Sequence, residues 1–216
     1  MKRMMAGLGV GFVALTVAGC SGETGGEPAP RPESSMAGSA LPTPATSGAP
    51  PELPHSGAPA VVDPLPESVL PDDPCDVLTS QQIIQALGSG ASEGERSDLE
   101  PVGPGCHWSN EKTLSSLQVG FNTVARQGLS ATYANAKPQS AVFREVSPIQ
   151  DLPAVAYKDS EDDRVCTVVV GLADDYTITS TVGLSAEKEA EGVDSCVPAE
   201  MVAEMVVGNL KAKAGE

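Results

Sequence analysis

The residues Val165-Cys166-Thr167-Val168-Val169-Val170-Gly171-Leu172, then Asp174-Asp175, then Tyr176-Thr177-Ile178-Thr179-Ser180-Thr181-Val182, decide the fold. Three consecutive valines make the first run apolar on both faces, which fits a central strand covered on two sides rather than an edge. In the second run Tyr176, Ile178 and Val182 share one face. The acidic pair between them makes the turn of a hairpin.

Upstream, Leu117-Gln118-Val119-Gly120-Phe121-Asn122 alternates apolar with polar or small residues, the pattern of a half-buried strand. Gly128 to Ala136 reads as a helix with Leu129, Tyr133 and Ala136 on one face, stopped by Pro138. Val142 to Val146 and Ala154 to Tyr157 read as further strands, separated by Pro148 to Pro153. Earlier still, Asp73-Pro74-Cys75-Asp76-Val77-Leu78-Thr79 leads into a helix beginning at Ser80. Thr79 and Gln82 form a capping box, and Leu78 closes over Ile83 as a hydrophobic staple. Its apolar face carries Ile83, Ile84 and Leu87, and Gly88 ends it. Ser89 to Gly105 reads as a polar loop with Cys106-His107-Trp108 at its far end. Downstream, Pro198 falls in the first turn of a last helix reaching about Lys211. Met201, Val202, Met205, Val206 and Leu210 form a stripe that lies on the sheet. The predicted class is α+β, an antiparallel sheet with flanking helices.

The N-terminus is an address. Lys2 and Arg3 precede an apolar or small run from Met4 to Val17, and Ala18-Gly19 precede Cys20. About fourteen residues are too few for a bilayer-spanning helix, which needs roughly 20. Val17-Ala18-Gly19-Cys20 resembles the bacterial lipoprotein signal, with Val17 where that signal usually has Leu. The resemblance implies cleavage of residues 1–19 and lipid on Cys20, which anchors the chain to the extracytoplasmic face of the cell membrane. Residues 20–72 then read as a lipidated N-terminus and a disordered tether. Twelve of the nineteen prolines lie between Ser21 and Asp72, large aliphatic residues are scarce before Val61, and His55 reads as solvated. Residues 73–216 remain as one domain.

In an exported domain Cys75, Cys106, Cys166 and Cys196 are expected to be oxidised. Three connectivities are open. Sequential pairing, Cys75 with Cys106 and Cys166 with Cys196, is favoured because it closes two loops of about thirty residues in separate halves, each restricting the unfolded chain by roughly 3.7 kcal/mol. Trp108 is expected to pack near the first of them.

The formal charge of −16 becomes −18 once Lys2 and Arg3 are removed with the signal. No basic cluster is left to neutralise phosphates, which argues against nucleic acid as a partner. Zinc is disfavoured by the lack of a Cys-x-x-Cys pair and by His107 being the only histidine after residue 72. The acids Asp159, Glu161, Asp162 and Asp163 lack a calcium loop's turning Gly, having Arg164, and its bidentate Glu, having Val170. Ser185-Ala186-Glu187-Lys188 matches Ser-x-x-Lys, but the companion motifs of penicillin-recognising enzymes are missing. No catalytic residue, cofactor or metal ligand is assigned.

Taken together, Asp73-Pro74-Cys75, the Leu-Thr-capped helix ending in Leu-Gly, Cys106 with Trp108, Leu152-Pro153 before the strand holding Cys166, and Cys196 before the last helix resemble an actinobacterial lipoprotein family, the domain of unknown function 3558. The resemblance runs from Asp73 to Leu210. It implies a compact antiparallel sheet with helices, exported and lipid-anchored, with no reaction to transfer. By fold analogy with other envelope lipoproteins it also suggests a Mog1/PsbP-like sandwich. The function expected is a non-catalytic binding or interaction module. Its partner class is an envelope protein, a lipid or wall material, and the alternative is an envelope hydrolase with unplaced acidic residues.

Overall fold

The alternation of apolar and polar residues along the strands sorts one sheet into two faces. The computed structural model describes residues 51–100 and 102–215, and all that follows concerns those residues. Among them, seven strands form one antiparallel sheet: β1 (Glu95–Arg96), β2 (Gly105–Asn110), β3 (Ser115–Asn122), β4 (Val142–Glu145), β5 (Ala154–Lys158), β6 (Val165–Gly171) and β7 (Thr177–Gly183). Their spatial order is β1-β2-β3-β7-β6-β5-β4, and every neighbouring pair is antiparallel. The β6–β7 hairpin lies inside the sheet, with Cys166 opposite Val182 and Val170 opposite Ile178. The α+β class and the antiparallel sheet with helices thus hold.

Leu117, Val119 and Phe121 of β3 are at most 1 % exposed and join Trp108, Val168, Val170 and Ile178 in the main core. This face is covered by α4 (Cys196–Ala214) and α1 (Ser80–Leu87). Thr79 and Gln82 make the expected capping box, and Asn209 of α4 donates to the Val77 carbonyl at 2.8 Å, tying α4 to the turn before α1. The α4 stripe in contact is Ala199, Val202, Ala203, Val206, Val207 and Leu210. Met201 and Met205, expected in that stripe, are instead half-buried at its margin. The helix turns its alanines to the sheet, so that the Ser180 hydroxyl, on the core face of β7, reaches the Ala199 carbonyl at 3.1 Å.

On the opposite face, α2 (Gly128–Asn135) covers only the β5–β6 side, where Leu129 and Tyr133 bury Val155 and Val169. Tyr133 meets Phe143 of β4 edge-on and donates to Glu145 at 2.8 Å. The start of α2 sits against the β6–β7 turn so closely that a Cβ on Gly128 (φ +50°) would lie 2.1 Å from the Asp174 carbonyl oxygen. Glycine alone meets both demands.

Cys75 is joined to Cys106, and Cys166 to Cys196, with both Cα–Cα distances 5.0 Å. Trp108 packs at the first bridge: a Cβ built on Gly94 would approach Cys106 Sγ and Trp108 Nε1, each at 2.7 Å.

The boundary at residue 72 moves. Residues 51–72 are packed on the domain rather than loose, while 20–50 lie outside the described residues. Val61, Leu65 and Val69 are buried in the main core, and His55 is half-buried, its amide donating to the Ser130 hydroxyl. The Leu65 amide bonds the Leu172 carbonyl at 2.9 Å, Tyr176 donates to the Leu65 carbonyl, and the Val61 amide bonds Asp174 at 2.8 Å. Arg126 then bridges Glu67, with both carboxylate oxygens, to Asp175. A few large aliphatic residues spaced among prolines suffice here because the chain adds to an existing core. Composition averaged over the whole stretch conceals them. The loop from Ser89 also differs from expectation in containing β1, and the segment before Cys196 in containing α3 (Ala186–Ala190).

Given this packing, Leu65→Ala is expected to cost about 3 kcal/mol, a fall in Tm of roughly 10 °C for a domain of this size. Val62→Ala, at a position 86 % exposed, should leave Tm unchanged. Paired thermal melts check both, and an unchanged Tm for Leu65→Ala would contradict the packing of this segment.

Asp194 accepts from the Cys196 amide at 3.0 Å and from Lys158 at 3.2 Å. These partners, the amide foremost, hold its carboxyl below the usual value against the opposing effect of partial burial. A depressed folded pKa contributes stability above the unfolded pKa, about 3.9, and that contribution is lost as pH falls through the folded value. Asp194→Asn should therefore lower stability at pH 7, and the difference should vanish on acidification. Urea unfolding between pH 7 and pH 2 measures this, and a gap independent of pH would rule out the ionic origin.

Candidate functional site

Gln118, Gly120 and Asn122 of β3 point away from the core, as do Thr177, Thr179 and Thr181 of β7. Because α2 stops over β5 and β6, the β2–β3–β7 side of this face is left uncovered, and strand register gathers its side chains into rows. One row crosses five strands as His107, Gln118, Thr181, Thr167 and Tyr157. The next is Gly105, Gly120, Thr179 and Val169.

These rows differ in height. Gly105 and Gly120 are opposite each other, so two adjacent strands lack side chains at one place. A Cβ added at Gly120 would come within 2.8 Å of the Thr179 hydroxyl, and one at Gly105 equally close to the Val119 carbonyl. The result is a trough of about 250 Å³, with Leu99 and Val102 along one rim and Thr132 of α2 at the other. Leu99 is 50 % exposed and Val102 37 %, and Val124, 58 % exposed, is joined to Val102 through its amide.

The polar groups of the trough are partly satisfied among themselves. The Thr167 and Thr181 hydroxyls are 2.9 Å apart, and Asn122 Nδ2 donates to Thr177 at 2.7 Å. Asn122 Oδ1 is buried and has no hydrogen-bond partner. Burial pushes the Tyr157 phenol above its ordinary value, aided by Asp159 and opposed by the Thr167 hydrogen bond. The phenol therefore stays neutral at neutral pH.

The residues singled out by sequence are distributed elsewhere. Cys20 lies outside the described residues. Cys75, Cys106, Cys166 and Cys196 are consumed in the two bridges on the core side. The Ser185 hydroxyl caps α3 by accepting from the Lys188 amide at 3.2 Å, which gives the Ser-x-x-Lys spacing a structural role. The acidic loop closes over Lys158, only 8 % exposed, whose ammonium donates to the Glu161 carbonyl at 2.7 Å as well as to Asp194. Asp163 turns its carboxylate to the Val165 amide. Among the described residues, no group of three or more His, Cys, Asp or Glu side chains is gathered to hold a metal ion. Of the residues singled out by sequence, His107 stands on the uncovered face, between Gln118 of β3 and Glu95 of β1 in register.

Sequence reasoning passes over the trough because its residues are the unremarkable alternants of two strands. The signal lies in the alternation, since every second residue of β3 and β7 must point somewhere other than the core. Which of those positions another element covers depends on where α2 docks.

No curated protein and no solved structure is similar to this chain beyond chance. One family model, described as "Protein of unknown function (DUF3558)", matches residues 15–209, which takes in all seven strands and α1 to α3, runs into α4 as far as residue 209, and reaches back past Cys20. The chain belongs to the DUF3558 family.

Proposed function

We propose that the protein is an exported actinobacterial lipoprotein, held by lipid on Cys20 at the extracytoplasmic face of the cell membrane. There it acts as a non-catalytic binding module that presents the uncovered half of its sheet to an envelope partner. The single observation that carries the binding role is the trough, a concave surface with hydrogen-bonding groups left on the outside of an otherwise closed core. Support for the anchor comes from the Leu15–Cys20 stretch, which the family match includes. No helix of the described residues is long and apolar enough to cross a membrane. One acyl chain binds membranes marginally, while two or more hold stably. Residues 21–50, rich in proline and glycine, serve as the tether. Tethering raises the local concentration of the domain near the membrane and lets it search outward.

Cell fractionation tests the anchor: Cys20→Ala should move the protein from the membrane pellet to the soluble or secreted fraction. Equal pelleting of both forms would show that lipid is not what holds it. For binding, crosslinking in intact cells is followed by capture on immobilised residues 51–216, which retain the packed N-terminal segment. The same partner should be recovered by both routes and released unaltered. Capture that requires residues 21–50 would move recognition into the tether, and turnover of the captured material would favour the hydrolase.

A further inference from the structure

The trough is notable for what its lining lacks. The chain has 29 acidic and 13 basic residues, yet among the described residues no Asp, Glu, Lys, Arg or His lines this cleft. Its lining is threonine, serine, glutamine and asparagine, with the neutral Tyr157, glycines and a few aliphatic residues. We propose that the trough over Gly105 and Gly120 binds a neutral, polyhydroxylated ligand, a terminal unit of an uncharged glycan. This rests on the reading of the uncovered sheet as the binding surface, and adds the class of ligand.

Charge decides between ligand classes first. Taking a charged group out of water is costly unless an opposite charge receives it. With no cation in the lining a phosphate or carboxylate would lose its hydration uncompensated, and with no carboxylate an ammonium would fare the same. A neutral ligand avoids both losses. Hydrogen-bonding capacity decides next. Threonine hydroxyls and the Gln118 amide each donate and accept, which matches sugar hydroxyls that do likewise. Size limits the ligand: about 250 Å³ falls just below the usual range of ligand clefts, roughly 300–1,000 Å³, which leaves room for a single terminal sugar unit on the glycine floor. The exposed Leu99 and Val102 then offer apolar surface to the C–H face of such a ring. An extended peptide is better served by a free strand edge, where its backbone continues the ladder, than by a face whose outward groups are side chains.

The test uses the mature chain from residue 20 with Cys20→Ser, isotopically labelled for amide NMR. It is titrated with a panel of neutral hexose and pentose oligosaccharides, with uronic-acid oligosaccharides of matched length, and with a blocked neutral hexapeptide. At least one neutral saccharide should shift the amides around Gly105, Gly120 and Thr179, with the β4 and α4 amides unmoved. Thr179→Val, isosteric and suited to a strand, should weaken that binding about tenfold, and Gly120→Ala should abolish it by raising the floor. Shifts at these amides from the uronic acids or the peptide alone would overturn the neutral-glycan assignment and leave the face as a binding surface. If no panel member shifts this face and the cellular partner docks elsewhere, both readings fall. Saccharide binding that Thr179→Val and Gly120→Ala leave intact would also overturn the assignment.

Discussion

The stripe of α4 from Ala199 to Leu210 lies on the core face of β5, β6 and β7, and the rest of the structure takes its sidedness from that contact. Each fully buried valine or leucine is worth about 1.5–3 kcal/mol relative to exposure, so the sheet cannot present this face to anything else. The Cys166–Cys196 bridge fixes the first residue of the helix to the second residue of β6, setting where the stripe begins. Asp194 and Lys158 sit beside that junction, and Asp194 also receives the Cys196 amide. A single face is thereby closed by one helix, with α1 and the first disulfide completing the cover over β2 and β3.

What remains is the second face, where coverage is unequal. The segment before residue 72 and α2 meet at the β6–β7 turn, Val61 through Asp174 and Arg126 through Asp175. Arg126, Glu67 and Asp175 are each more than 40 % exposed, so this bridge orders the surface more than it stabilises the fold. Val61, Leu65 and Val69 supply the energy. Because both devices act at one end of the sheet, the β2–β3–β7 side of the second face is left without a partner among the described residues.

Much of this is legible in the sequence. The capping box at Thr79, the valine-rich central strand and its hairpin partner follow from local rules, since each depends on residues a few positions apart. Loop length favours the two disulfides over the other pairings but does not fix them, because pairing depends on distance in space. The packed segment from 51 to 72 reads as tether because its few aliphatic residues, three of them buried, stand among many prolines and leave no periodicity to detect, and their burial depends on a turn more than a hundred residues away. The α4 stripe is read rightly at Val202, Val206 and Leu210, while the two methionines lie at its margin: methionine scores as core by type, and contact with the sheet selects Ala199 and Ala203. The trough escapes entirely, since a polar alternant on a strand looks the same whether another element covers it or not.

That the chain closes one face of its sheet and leaves part of the other for a partner can be tested in living cells. A photo-crosslinking residue is placed at Gln118 or Thr181 and, in parallel, at exposed Ile84 on the α1 side. Adducts are predicted from positions 118 and 181 and none from 84. Adducts arising chiefly from position 84, with 118 and 181 silent, would contradict the sidedness on which the binding role depends.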